Sequence, residues 1–220
     1  MIVLAAAMLL AAVSRADPAP MHAWRSLLDE NAAAWRGWKA TTFPEGWQVA
    51  ADTISKEGEV DDLVTRDMFG DFELELEWKI GKGGNSGIFY RGTREYEYIF
   101  WSAPEYQLLD DANAPDGRNR LSSAAAAYGL YPAPAGAVKP AGEWNTTRIV
   151  VDGAHVEHWL NGVKVVSYER GSPEMKARIA DSKYKDIPGF GDVTKGHLLL
   201  QDHDSEVYFR NMKIRVIKKK

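Results

Sequence analysis

The sequence predicts an all-β fold, a two-sheet antiparallel sandwich or jelly roll, and three observations carry that prediction. Short runs that alternate apolar and polar residues recur along the chain with turn residues between them. Helical periodicity is weak almost everywhere, and 220 residues is an ordinary length for one such sandwich.

Residues 2–13, Ile-Val-Leu-Ala-Ala-Ala-Met-Leu-Leu-Ala-Ala-Val, form an apolar run too short to span a bilayer. Ser14-Arg15-Ala16 then offers small residues at the positions a signal peptidase reads, although no Lys or Arg precedes the run. The expectation is a signal peptide over residues 1–16, a single domain over 17–220, no membrane span, and a periplasmic or secreted mature chain. With no cysteine, neither disulfides nor lipoprotein acylation is available. The balance of 27 Lys and Arg against 31 Asp and Glu gives a formal net charge of −4, so nothing in the overall field favours nucleic acid. Lys218-Lys219-Lys220 reads as a solvated tail.

After the leader, Trp24–Asp29 and the series Trp35, Trp38, Trp47 read as short strands and turns. Strands follow at 63–66, 72–80, 86–91, 106–109, 145–151, 156–160, 163–168, 197–201 and 207–217. Phe72–Ile80 alternates strictly, so Glu73, Glu75 and Glu77 form its wet face. The glycines at 81, 83, 84 and 87, with Asn85 and Ser86, suit a tight turn or a close approach of backbone to a ligand. Asn161-Gly162 between two apolar runs is a type I′ hairpin signal. Residues 110–142, rich in Ala, Pro, Asn and Gly, read as a long functional loop, 172–178 as one short helix, and 183–191 as another loop.

Five strings occur in order: Gly84-Asn-Ser-Gly-Ile-Phe-Tyr-Arg91, Glu105-Tyr-Gln-Leu-Leu-Asp-Asp111, Gly142-Glu-Trp-Asn145, His158-Trp-Leu-Asn-Gly162, and Leu200-Gln-Asp-His203 followed by Phe209-Arg-Asn211. Each alone is weak, but the ordered set resembles the 3-keto-disaccharide hydrolase family, formerly a domain of unknown function, from about Trp24 to Ile217. The resemblance implies a concanavalin A-like jelly roll holding a sugar, cleavage of 3-keto-glycosides, and functional coupling to a separate sugar 3-dehydrogenase that makes them.

A keto group at C3 acidifies the C2–H. A base can remove that proton, the enolate can expel the C1 substituent, and hydration of the enone completes a net hydrolysis. This chemistry asks for a base near C2, a donor or metal for the enolate oxygen, and an acid for the leaving group. It does not need two opposed carboxylates. Strand parity puts Glu105 and Gln107 on one face, Gly87, Phe89 and Arg91 on one face, and Leu199, Gln201 and His203 on one face.

The candidates for acid, base and electrophile are therefore Glu105, His158 and His203, in an order the sequence does not assign. Asn85, Arg91, Gln107, Asp110, Tyr128 and Gln201 are candidates for holding the sugar, with Tyr131 a second ring in the same loop. Each has a structural alternative. His158 reads equally as a hydrogen-bonded core residue, His203 as a turn residue beside Asp202 or Asp204, Glu105 as an ion-pair partner of Arg91, and Asp110 with Asp111 as an anchor of the long loop. A cofactor is not required, but a divalent metal on Glu105, His158 and His203 remains open, as does a structural calcium. The competing function is a non-catalytic carbohydrate-binding module, because such sandwiches also serve as lectins. An ordinary glycosidase would need a second cleft carboxylate beside Glu105.

Overall fold

The computed structural model describes residues 23–56 and 58–217. The expected signal peptide and the terminal lysines lie outside them. Thirteen strands among the described residues form two antiparallel sheets. They are β1 (Arg25–Ser26), β2 (Trp35–Gly37), β3 (Trp47–Ala50), β4 (Thr53–Lys56), β5 (Leu63–Thr65), β6 (Phe72–Ile80), β7 (Asn85–Gly92), β8 (Glu105–Leu109), β9 (Asn145–Asp152), β10 (His155–Leu160), β11 (Val163–Glu169), β12 (His197–Leu200) and β13 (Val207–Val216). The larger sheet runs β11-β10-β9-β6-β13-β4-β3 with β1 also on β13, and the smaller runs β2-β5-β12-β7-β8.

Every strand expected from the alternating runs is present, and β4, which pairs with β3 and β13, is an addition. Thr53–Lys56 is too short for periodicity to reveal; its partners make it a strand. Asn161 (φ 50°) and Gly162 (φ 82°) both take the left-handed conformation and join Leu160 to its partner Val163, the two-residue hairpin that Asn-Gly predicts. The one α-helix among the described residues, α1 (Pro173–Ala180), begins where Ser172 Oγ accepts the Met175 N–H at 3.1 Å.

The sheets pack through their inner faces. Phe72, Leu74, Leu76 and Trp78 of β6, with Ile149, Phe209 and Ile214, meet Leu63, Ile88, Tyr90, Tyr106, Leu108, Leu198 and Leu200 of the smaller sheet. Polar groups inside this core bond across it. Trp78 Nε1 donates to Thr147 Oγ1 at 2.9 Å, Thr147 Oγ1 to Tyr106 OH at 2.8 Å, and Tyr106 OH to the Trp159 carbonyl at 3.1 Å. Satisfied in this way, the buried hydroxyls lock the sheets in register instead of destabilising them.

The outer face of the larger sheet is ion-paired. Glu73 meets Arg148 and Arg215, Glu75 meets Lys213 at 2.8 Å, and Glu77 meets Arg210 at 2.8 Å. The wet face read from β6 is thus occupied by basic residues of β9 and β13, which is why Glu73 can be 4% exposed. A groove of about 790 Å³ crosses this face between Trp24 and Trp159.

Residues 110–142 are not an open loop. Ala124, Ala125, Ala126 and Ala127 are buried in the main core, and Ala127 bridges Tyr106 and Tyr131. The small side chains let this segment pack into the core.

Candidate functional site

The smaller sheet presents its outer face as the candidate site. Since Leu63, Ile88, Tyr106, Leu108 and Leu200 point into the main core, their neighbours in sequence point the other way. One row crosses the strands as Val64, Leu199, Phe89 and Glu105, each paired with the next. The next row is Asp62, Gln201, Gly87 and Gln107: Gly87 pairs with Gln107, the Gln201 N–H donates to the Gly87 carbonyl at 2.9 Å, and the Asp202 N–H to Asp62 Oδ1 at 2.6 Å. The first row is apolar apart from Glu105. The second is polar with a glycine at its centre.

The Glu105 carboxylate lies over Gly87, in the space a side chain there would occupy. Glu105 is 6% exposed, and its carboxylate has no hydrogen-bond partner or ion pair among the described residues. Burial pushes its pKa up to about 8; the nearby Lys183 charge opposes the rise and Asp62 adds to it. Burial likewise raises Asp62 to about 7, reinforced by Asp61 and opposed by Lys56 and His203. Lys183 Nζ stands 4.1 Å from the Tyr128 ring centroid and 5.2 Å from that of Tyr184, and desolvation lowers its pKa against the pull of Glu105.

Gln107 Nε2 donates to Asn85 Oδ1 at 2.8 Å, which fixes the amide with Oε1 as its free end. That oxygen and Gln201 Oε1 are both buried without a donor among the described residues. Buried amide oxygens are seldom left unpaired, and two on one face beside an unpaired carboxylate are acceptors awaiting hydroxyl donors.

The structure therefore brings Glu105, Gln107, Gln201 and Asn85 together, with Tyr128 at the margin, where its N–H donates to the Glu105 carbonyl at 3.1 Å. His203 is exposed in the turn after β12 and lies near enough to Asp62 to act on its charge.

Four candidates are placed elsewhere. His158 is fully buried between the sheets, with Nε2 2.8 Å from Tyr90 OH and Nδ1 2.9 Å from the Ala125 carbonyl. It faces the core side of the smaller sheet, opposite to Glu105, and burial lowers its pKa to about 4. The set Glu105, His158 and His203 therefore does not converge as a catalytic trio or as metal ligands. Among the described residues no group of three or more His, Cys, Asp or Glu is placed to hold a metal ion.

Arg91 leaves the face shared by Gly87 and Phe89 because its backbone is left-handed (φ 55°), next to the irregularity between β7 and β12. Its guanidinium donates to the carbonyls of Gly70 and Gly153 at 2.9 and 3.0 Å and to Asp71 at 2.7 Å, so its carboxylate partner is Asp71 and not Glu105. Asp110 is an anchor: its carboxylate accepts from the Gly83 N–H at 2.8 Å and Asn113 Nδ2 at 2.7 Å, bonds that draw its pKa down against burial. Tyr131 stacks on Tyr168 with centroids 4.7 Å apart, inside the core.

Lys183 and Asp62 were missed by sequence reasoning. Lys183 sits in a segment without period or motif and Asp62 just before the strand expected at 63–66, and only the tertiary packing brings their charges to Glu105.

The chain matches the 3-keto-alpha-glucoside-1,2-lyase-like domain family over residues 23–215. It is 33% identical over 215 residues to a 3-keto-disaccharide hydrolase of Bacteroides thetaiotaomicron, covering 83% of this chain and 74% of that one. A crystal structure from Parabacteroides distasonis, assigned to the glycosyl hydrolases, superposes with a TM-score of 0.83 at 34% identity, covering 89% of this chain and 94% of the other. A Bacillus licheniformis β-glucanase shares the jelly-roll fold alone, with a TM-score of 0.51 at 8% identity over 91% of this chain and all of its own. With the family match over residues 23–215 and a 3-keto-disaccharide hydrolase as a relative over most of its length, the chain belongs to the 3-keto-alpha-glucoside-1,2-lyase-like family.

Proposed function

We propose that this protein cleaves glycosides bearing a keto group at C3, with Glu105 as the base that takes the C2 proton. The observation that carries the reading is the Glu105 carboxylate, buried and unpaired over Gly87, with two unpaired glutamine oxygens on the same face. A carboxylate held in a dry site with a raised pKa is a stronger base than one in water.

In the first step the C2–H bond breaks, the proton goes to Glu105, and the electron pair becomes an enolate on the C3 oxygen. Lys183 is the cation positioned to offset that negative charge. The enolate then re-forms the ketone as the C1–O bond breaks, and the leaving oxygen takes a proton from Asp62, which adjoins Trp38. Water then adds across the C1–C2 double bond of the enone: its oxygen bonds to C1, C2 takes back the proton held by Glu105, and the remaining water proton returns to the acid, which completes a net hydrolysis with the ring intact throughout. Gln107 and Gln201 accept hydroxyl hydrogens of the ring, and Asn85 orients Gln107. A reaction that starts from a ketone at C3 needs an oxidation at C3 upstream, so a sugar 3-dehydrogenase is the supplying class of enzyme.

The test is incubation of the purified chain with 3-keto-trehalose and with trehalose, each with and without a chelator, following release of 3-keto-glucose. Release from the oxidised sugar alone supports the reading, and loss of release with the chelator would add a metal to it. Binding of both sugars with no product would instead make the protein a carbohydrate-binding module.

A further inference from the structure

The segment joining β7 to β8 folds back over the apolar row of the candidate face. Ile99 and Ala103 are buried against Trp38, Val64, Phe89 and Leu199, and Phe100 packs at the edge of that cluster. Ser102 braces the turn, its Oγ donating to the Ile99 carbonyl at 3.0 Å and accepting the Thr93 N–H at 3.1 Å. Phe89 is directly opposite Glu105, and the Trp38 N–H donates to the Asp62 carbonyl at 2.9 Å. The segment therefore walls the polar row on one side.

Its outward side carries four rings in mutual contact. Tyr98 stacks on Phe100 with centroids 5.1 Å apart and planes 13° from parallel. Trp101 stands edge-on to Tyr98 at 5.6 Å and to Phe100 at 6.2 Å, and Tyr96 lies 6.5 Å from Trp101. Tyr96 is 39% and Tyr98 46% exposed, and neither hydroxyl has a hydrogen-bond partner among the described residues. Exposed rings clustered on a braced, well-packed base mark a binding surface more than a packing accident, and this cluster joins the site through Phe100, which packs on the group containing Phe89, the residue opposite Glu105.

We propose that Tyr96, Tyr98, Phe100 and Trp101 form the leaving-group subsite, which selects C1 substituents that present a flat face, a second sugar ring or an aromatic aglycone, over small alkyl groups. The inference rests on the proposed cleavage at Glu105. A sugar held by Gln107 and Gln201 has Glu105 and Phe89 on the side of this wall, so a ring attached at C1 that extends toward the wall meets the Tyr98–Phe100 stack. Contact with the C–H face of a sugar or the π face of an aglycone is remote from the reacting atoms, and such binding energy separates substrates that share a reacting ring.

The experiment compares methyl 3-keto-glucoside, 3-keto-trehalose and phenyl 3-keto-glucoside as substrates of the wild type, Tyr98→Ala and Tyr98→Phe. Tyr98→Ala should lose about tenfold in kcat/KM on one or both substrates with a ring at C1, while staying within about twofold on the methyl glycoside. Tyr98→Phe keeps the ring and should retain the preference. The pattern between trehalose and phenyl substrates tells a sugar from an aromatic leaving group. Equal losses on all three substrates, or no loss on either ringed one, would overturn the subsite. If the wild type turns over none of them, the cleavage reading fails separately. The subsite is then read by quenching of tryptophan fluorescence on titration with phenyl glucoside and with trehalose. Binding weakened about tenfold by Tyr98→Ala supports it, and no binding, or equal binding in both proteins, overturns it.

Discussion

The Glu105 carboxylate occupies the space above Gly87, so a glycine in one strand makes room for the acid of the next. Glycine at this strand position has no turn to serve: β7 continues on both sides of it, and Gly87 is not among the positive-φ glycines. Its role is the missing side chain. Gly87→Ala should displace the carboxylate and lower kcat/KM by about 100-fold, the scale of a misplaced reacting group, while the thermal midpoint moves by only a few degrees. Activity near wild type in this variant would remove Glu105 from the reaction.

The pH dependence follows from the same carboxylate. Burial raises its pKa to about 8 and a base must be ionised, so kcat/KM should climb with pH and level off above about 8. Lys183 favours the ionised form, so Lys183→Met should move this limb to higher pH and Lys183→Arg should leave it nearly in place. A pH–rate profile of the three proteins measures the shift, and an unmoved limb in Lys183→Met would break the link between the two residues.

His158 should govern stability and not turnover. Its folded pKa of about 4 lies below the ordinary 6.5, so the unfolded chain takes up a proton that the folded one refuses as pH falls. The stability it supports is present above about pH 6.5 and is lost toward pH 4, by about 3 kcal/mol at most. Urea titrations at pH 7 and pH 4.5 should show this loss in the wild type and a smaller one in His158→Gln. A His158→Gln protein that stays folded yet loses all turnover would contradict the placement of His158 in the core.

Arg91 and Asp71 form the second structural pair. Removing the carboxylate leaves a guanidinium that is 2% exposed without its charge partner, and breaking such a buried pair from one side costs about 3 kcal/mol. Asp71→Ala should therefore lower the unfolding midpoint while kcat of the folded fraction stays within about twofold of wild type. Arg91→Lys should destabilise as well, because one ammonium cannot reach Gly70, Gly153 and Asp71 together.

Much of the site was legible because strand parity is local. Glu105 and Gln107 share a face by the alternation of β8, and Gln201 aligns with them once its strand is antiparallel to β7. Parity failed at Arg91, and at His158 it could not decide the placement. At Arg91 a left-handed residue turns the chain, so counting by twos stops being valid. At His158 the strand parity is sound, but β10 belongs to the other sheet, and a face of one sheet says nothing about which face of the other it meets.

By itself the sequence determined the fold class, the nine strands expected from the alternating runs, the Asn161-Gly162 hairpin and the family, because alternation, turn chemistry and ordered strings are properties of neighbours along the chain. Only the tertiary structure decided that His158 belongs to the core, that Arg91 and Asp110 hold the frame, and that Lys183 and Asp62 act on Glu105. Those assignments depend on which sheet a strand joins and on which loop closes over it. The burial that raises the Glu105 pKa and lowers that of His158 exists only once the sheets and loops have packed.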